Sequence, residues 1–250
     1  MNKNKILNDI NLSAKPYVIY KTSNGFDLFT DFSKKIILSN NNVTNFLETI
    51  SSNKKKIKKT DLYIGFFGYE LLNYLIGIKF PKQKTNFFPK GIFYKPETLI
   101  SLSENLSFKA PTTEKKNKQF KININRKNYT KIFNKFKKKI KQGETYQIKI
   151  CTKYKNKSKI DPLDFFCRLS KSNLAPEAFL IKDKNYSVIS CSPETLIEKK
   201  GRSIITKPIA GTLKKNTSLN KSKALQYFRK NIKETKAVSY THLTLPTINW

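Results

Sequence analysis

Ala178-Phe-Leu-Ile-Lys-Asp-Lys-Asn-Tyr-Ser-Val-Ile-Ser-Cys191 reads as two β-prone runs, Ala178 to Lys182 and Tyr186 to Cys191, folded back on each other around Asp183-Lys-Asn185. The next stretch repeats the pattern, with Thr195 to Glu198 and Ser203 to Lys207 flanking Lys200-Gly201. Upstream, Pro16 to Lys21, Phe26 to Thr30 and Lys35 to Leu38 are short β-prone runs separated by polar turns, and Ser23-Asn-Gly25 is the clearest hairpin signal. Strands that arrive as hairpins, without a helical crossover between them, build antiparallel sheets. The expected class is therefore α+β.

The helices follow from apolar spacing. In Asn125 to Lys141, Tyr129, Ile132, Phe133, Phe136 and Ile140 recur at helical intervals against a lysine face, with Gly143 as the stop. Asp161-Pro162 is a helix start with Leu163, Phe166, Cys167 and Leu169 on its buried side. Asn42 to Ile50 and Leu219 to Lys236 are further helix candidates. Thr145 to Lys155 alternates strictly, Tyr146, Ile148, Ile150 and Tyr154 against Gln147, Lys149, Cys151 and Lys153, and is expected to be a strand. Asp61 to Phe67 is expected to be a buried strand, Asn53 to Lys59 a basic loop, and Ala110 to Lys118 a polar connection between two parts of the chain.

At 250 residues the chain can bury one large core or two smaller ones. Its formal net charge of +33 would suit an anionic polymer. Arginine, the residue of bidentate phosphate recognition, appears only as Arg126, Arg168, Arg202 and Arg229, while Lys, Asn and Ile are abundant throughout. That is the signature of a coding sequence poor in G and C, and no nucleic-acid partner is expected. A basic nucleic-acid-binding module remains the remote alternative. Cys151, Cys167 and Cys191 form no CxxC pair, which fits a reducing cytoplasm, and Met1 to Lys15 shows no export signal. The apolar stretch Tyr63 to Ile78 carries Glu70, Asn73 and three glycines, so it reads as a strand running into a helix and not as a membrane span.

The last residues change character. Val238-Ser-Tyr-Thr-His-Leu-Thr-Leu-Pro-Thr247 resembles one reading frame of a transposon-type sequencing adapter; a short native strand is the alternative. The only His, His242, and the only Trp, Trp250, lie there. Residues 237–250 are set aside as a non-native tail, 1–110 are taken as an N-terminal lobe, and 111–236 as the first part of a second unit, incomplete at its C-terminus. Without the tail there is no histidine, so no His-dependent triad or His metal site exists within residues 1–236.

Three stretches carry the chemistry: Gly143-Glu-Thr-Tyr-Gln-Ile-Lys-Ile-Cys-Thr-Lys-Tyr154, Ser190-Cys-Ser-Pro-Glu-Thr-Leu-Ile197 and Thr206-Lys-Pro-Ile-Ala-Gly-Thr212. A Ser-Pro-Glu leaving a strand puts a carboxyl group at a strand end. Pro-x-x-Gly-Thr brings backbone N–H groups and a hydroxyl toward an anionic ligand. Each alone is also a common helix start or turn.

In this order, together with Phe66-Phe-Gly-Tyr-Glu70, Asn173-Leu-Ala-Pro-Glu-Ala-Phe179 and Lys233-Glu-Thr235, they resemble the chorismate-binding family, which includes the synthase subunits of anthranilate synthase and aminodeoxychorismate synthase. The resemblance implies layered antiparallel sheets and helices with chorismate held between the layers, Mg2+ as cofactor, and a glutamine amidotransferase subunit that supplies ammonia. It implies Glu194 as the acid beside the leaving C4 hydroxyl, with Gly211, Thr212, Ser192 and Gln147 as substrate contacts and Glu234 as a metal ligand. Relatives that add water carry a lysine where this chain has Gln147, and glutamine is no base at neutral pH, so ammonia is the expected nucleophile.

The two ammonia users are harder to separate. The short stretch before Gly68-Tyr-Glu70, and Ala175-Pro-Glu-Ala-Phe179 in place of a Ser-Pro-Tyr, resemble aminodeoxychorismate synthase. Ala210, where some of those enzymes have a nucleophilic lysine, resembles anthranilate synthase. The expectation leans toward 4-amino-4-deoxychorismate as product, with anthranilate as the alternative. Lys149, Lys153 and Thr195 depart from the Asn, Arg and Arg usual in the family.

Overall fold

The computed structural model describes residues 3–52, 58–77, 88–108, 119–207, 209, 211–214 and 220–232. The chain opens with α1 (Lys3–Leu12), β1 (Tyr17–Thr22), β2 (Gly25–Ile37), α2 (Val43–Ser52), β3 (Ile64–Phe67), the short α3 (Leu72–Leu75) and β4 (Gly91–Leu102). After the small β5 (Lys121–Ile122) come α4 (Arg126–Lys141), β6 (Tyr154–Lys155), α5 (Pro162–Ser172), β7 (Glu177–Lys182), β8 (Ser187–Ser192), β9 (Thr195–Lys200), β10 (Ser203–Lys207) and α6 (Lys221–Lys230).

Six strands form one sheet in the order β3-β4-β2-β1-β7-β8, and every neighbouring pair is antiparallel. The class is α+β. Both hairpins that decided the reading are present: β7 pairs β8 with Ala178 opposite Cys191, and β9 pairs β10 as a separate two-stranded sheet. Because β1 pairs β7, strands from either side of residue 110 share the large sheet.

Alternation along the strands sorts side chains onto two faces. Tyr17, Ile19, Leu28, Ala178 and Leu180 pack on the outer face with Leu7 of α1 and Leu163, Phe166 and Cys167 of α5. Val18, Phe29, Ile92, Tyr94 and Ile181 occupy the inner face. A third cluster seats Val43 and Phe46 of α2 against Leu38, Leu71 and Phe93. The sheet curls: Phe88 stacks on Phe66 of edge strand β3, with centroids 5.4 Å apart, and meets Tyr186, just before the other edge strand, at 5.2 Å.

α5 starts as its sequence predicts, Asp161 accepting from the Asp164 N–H with Pro162 in the first turn. α4 ends in a Schellman arrangement, Glu144 N–H to the Lys139 carbonyl and Gly143 N–H to Ile140, with Gly143 at φ +77°.

Several expectations are corrected. Residues 145–153 are irregular, and only Tyr154–Lys155 pair, with Lys121–Ile122. Alternation makes a segment strand-competent, but a strand also needs a ladder of neighbouring N–H and C=O groups, and here the β5 side reaches only Lys153, whose carbonyl accepts from the Asn123 N–H at 3.1 Å. Likewise α4 buries no residue: Tyr129, Phe133 and Ile140 are exposed, as are Phe120, Tyr146 and Tyr154. An amphipathic stripe is buried only where another apolar face meets it. β3 is half-buried, not buried. The runs at 26–30 and 35–38 are one long strand, bent by a register shift between Phe32 and Lys34 beside Asp31, whose φ is 50°.

Three elements went unread: α1, hidden by its Asn and Lys content, β4, whose Lys95-Pro96-Glu97 interrupts the β pattern, and the two-residue β5. Residues 53–57, 110–118 and 233–250 lie outside the described residues, and with them the basic loop's core, the polar connection and the foreign-looking tail. No described helix is long and apolar enough to cross a membrane.

Candidate active site

Ser192 ends β8 and Thr195 begins β9, so Ser-Pro-Glu is a corner between the edge of the large sheet and the separate hairpin. The Ser192 hydroxyl donates to the Glu194 carbonyl at 3.1 Å and accepts from the Glu194 N–H at 3.4 Å, which folds the corner on itself. The Glu194 side chain stands exposed at the apex. The desolvation expected of an acid is therefore not supplied by the described residues.

β9 runs away from the corner and β10 returns to it. Lys207 lies opposite Thr195, after a register shift between Ile205 and Lys207. The hairpin thus brings Lys207, at the end of β10, beside the Ser-Pro-Glu corner. Gly211 is half-buried and Thr212 exposed; Pro208 and Ala210 are outside the described residues. Gln147 lies on the exposed irregular stretch after α4, where its carbonyl accepts from the Thr145 hydroxyl at 3.2 Å. Of the predicted site residues, Ser192 and Glu194 are in contact, Gly211 and Thr212 come after β10, which pairs with β9, and Gln147 belongs to another segment.

Two residues without a predicted role join the corner to the sheet. Glu177, opposite Ser192 in the β7–β8 register, accepts from the Thr195 hydroxyl through Oε1 at 2.6 Å and from the Tyr20 hydroxyl through Oε2 at 2.6 Å. Burial, then the Glu177 carboxylate, hold the Tyr20 phenol above its ordinary range, so it stays a donor at neutral pH. A glutamate inside Ala175-Pro-Glu-Ala was the available signal, but its partner in β1 is distant in sequence.

Burial pushes the Cys167 thiol up to about 11 and also raises Cys191, so neither is a thiolate nucleophile at neutral pH. A cleft of about 300 Å³ lies between the β1–β2 turn, the stretch after β4 and the end of α5, lined by Lys21, Thr22, Glu104, Ser170, Lys171 and Leu174 among others. It includes none of the predicted site residues. Among the described residues no group of three or more His, Cys, Asp or Glu could hold a metal ion, and Glu234 is outside them. The described donors do not fit Mg2+, which asks for several oxygen ligands at once.

A family model for chorismate binding enzymes matches residues 15–238. The chain is 29% identical over 204 residues to anthranilate synthase component 1 of Buchnera aphidicola subsp. Rhopalosiphum maidis, covering 67% of this chain and 39% of that protein. It is 27% identical over 188 residues to an anthranilate synthase component I-like protein of Synechocystis, covering 65% of this chain and 39% of that protein. Against anthranilate synthase component 1 of Archaeoglobus fulgidus it is 31% identical over 96 residues, 38% of this chain and 23% of that one. The chain therefore spans 39% of the length of the first two relatives. The family match runs from before β1 to beyond α6 and takes in both the Ser-Pro-Glu corner and the stretch 206–212; this chain belongs to the chorismate-binding enzyme family.

Proposed function

We propose that residues 1–236 are the first part of a synthase subunit that aminates chorismate with ammonia from a glutamine amidotransferase partner, releasing anthranilate and pyruvate. The names of the relatives support this product, reversing the order drawn from the sequence. The observation that supports the reading is the pairing of Thr195, the residue after Glu194, with Lys207, the last residue of β10 before the stretch that holds Gly211 and Thr212. Glu194 would protonate the departing C4 hydroxyl so that it leaves as water. The Gly211 N–H and Thr212 hydroxyl would hold a chorismate carboxylate, with Ser192 fixing the corner. Gln147 would contact substrate without acting as a base. Mg2+, bound through residues outside those described, Glu234 included, would stabilise substrate negative charge. Ala175-Pro-Glu-Ala-Phe179 favours a second reading, aminodeoxychorismate as product.

The test is to extend the chain by its natural reading frame beyond Lys236, supply chorismate, Mg2+ and ammonium, and identify the product by mass and fluorescence. Anthranilate with pyruvate is expected. Aminodeoxychorismate would favour the second reading, and unconsumed chorismate would overturn both. The 250-residue chain itself should leave chorismate intact, because its Glu194 is exposed.

A further inference from the structure

We propose that Glu177 is a positioning residue, a carboxylate clamp that ties the start of β9 to β1 and so sets where the Ser-Pro-Glu corner holds Glu194; its role in turnover rests on the reading of Glu194 as the acid. The geometry is specific. Tyr20 and Glu177 have the same parity as the inner-face residues Val18 and Phe179, so both point to the face away from α5. One carboxylate oxygen takes the Tyr20 hydroxyl and the other the Thr195 hydroxyl, each at 2.6 Å. Hydrogen bonds to an ionised acceptor are the stronger kind.

The clamp acts where it is needed. β8 and β9 belong to different sheets, so no ladder crosses the corner, and the Ser192 bonds to Glu194 fix the turn only against itself. A rigid turn on an untethered joint can still swing. Thr195 is the first residue past the joint, and its partner Lys207 leads into the Gly211-Thr212 segment. Holding Thr195 therefore constrains both segments with one contact. A small displacement of a reacting group can cost about 100-fold in rate.

The clamp is tested in the chain as it stands by amide hydrogen exchange on the wild type and on Glu177→Ala, Thr195→Val and Thr195→Ser. Exchange across Thr195–Lys200 and Ser203–Lys207 should quicken about tenfold or more in E177A and T195V, remain near wild type in T195S, and stay unchanged between β1 and β2 in all. In the extended enzyme, kcat should fall about tenfold or more in E177A and T195V with the chorismate KM shifted less than about threefold, and T195S should retain it. Unchanged exchange in E177A overturns the clamp. Faster exchange with unchanged kcat overturns the positioning role. If the wild-type extended enzyme consumes no chorismate, the functional reading fails, while the exchange result still decides the clamp.

Discussion

Asp183 sits in the turn between β7 and β8, nearly closed off from solvent, and its carboxylate meets the Lys35 ammonium at 2.6 Å and the hydroxyls of Tyr94 and, at 3.3 Å, Tyr186. Burial alone would raise its pKa, but the Lys35 ammonium, the Tyr94 hydroxyl and the Lys184 N–H together outweigh it and leave the group below its ordinary value. A folded-state pKa below the unfolded one stabilises the fold above the unfolded value, about 4, and that stabilisation is lost as pH falls through the folded pKa. Thermal unfolding at about pH 6 and about pH 3 should show a larger loss of Tm for the wild type than for Asp183→Asn; equal losses would contradict the assignment. The sequence marked Asp183 only as a turn residue. Its partners in β2 and β4 are remote along the chain, and no local pattern announces them. The same is true of Glu177, whereas Asp161 was legible because its partner is three residues away.

Elements were legible where their determinants are local. The hairpins at β7–β8 and β9–β10, the capped start of α5 and the glycine-ended α4 depend on turn and cap residues within a few positions. Residues 145–153 and the stripe of α4 failed the reading for one shared reason: whether such a segment is paired or buried depends on what faces it. β3 is decided by close approach. A Cβ on Gly65 would lie 1.9 Å from the Ile92 carbonyl oxygen, inside the β3–β4 pairing. Gly65→Ala should thus push β3 off the sheet and destabilise the fold by about 2 kcal/mol or more, read as a lower urea midpoint with faster amide exchange in Gly91–Leu102. An unchanged midpoint would show that the edge strand adds nothing to the fold.

At the scale of the whole molecule, the family was legible because several short motifs stand in one order along the chain, and order survives where 29% identity leaves most side chains changed. The curl that joins Phe66, Phe88 and Tyr186 was not, since it depends on three rings from separate segments. Neither was the exposure of Glu194, which follows from the corner lying between two sheets. The product preference also moved, because motif departures such as Glu177 and Ala210 point in different directions and only whole-chain similarity weighs them together. The most direct measurement is steady-state chorismate amination by the extended enzyme and its Glu194→Gln variant, side by side. The account predicts that the wild type turns chorismate over and that E194Q lowers kcat by about 100-fold or more with little change in chorismate KM. Equal kcat in the two would contradict it.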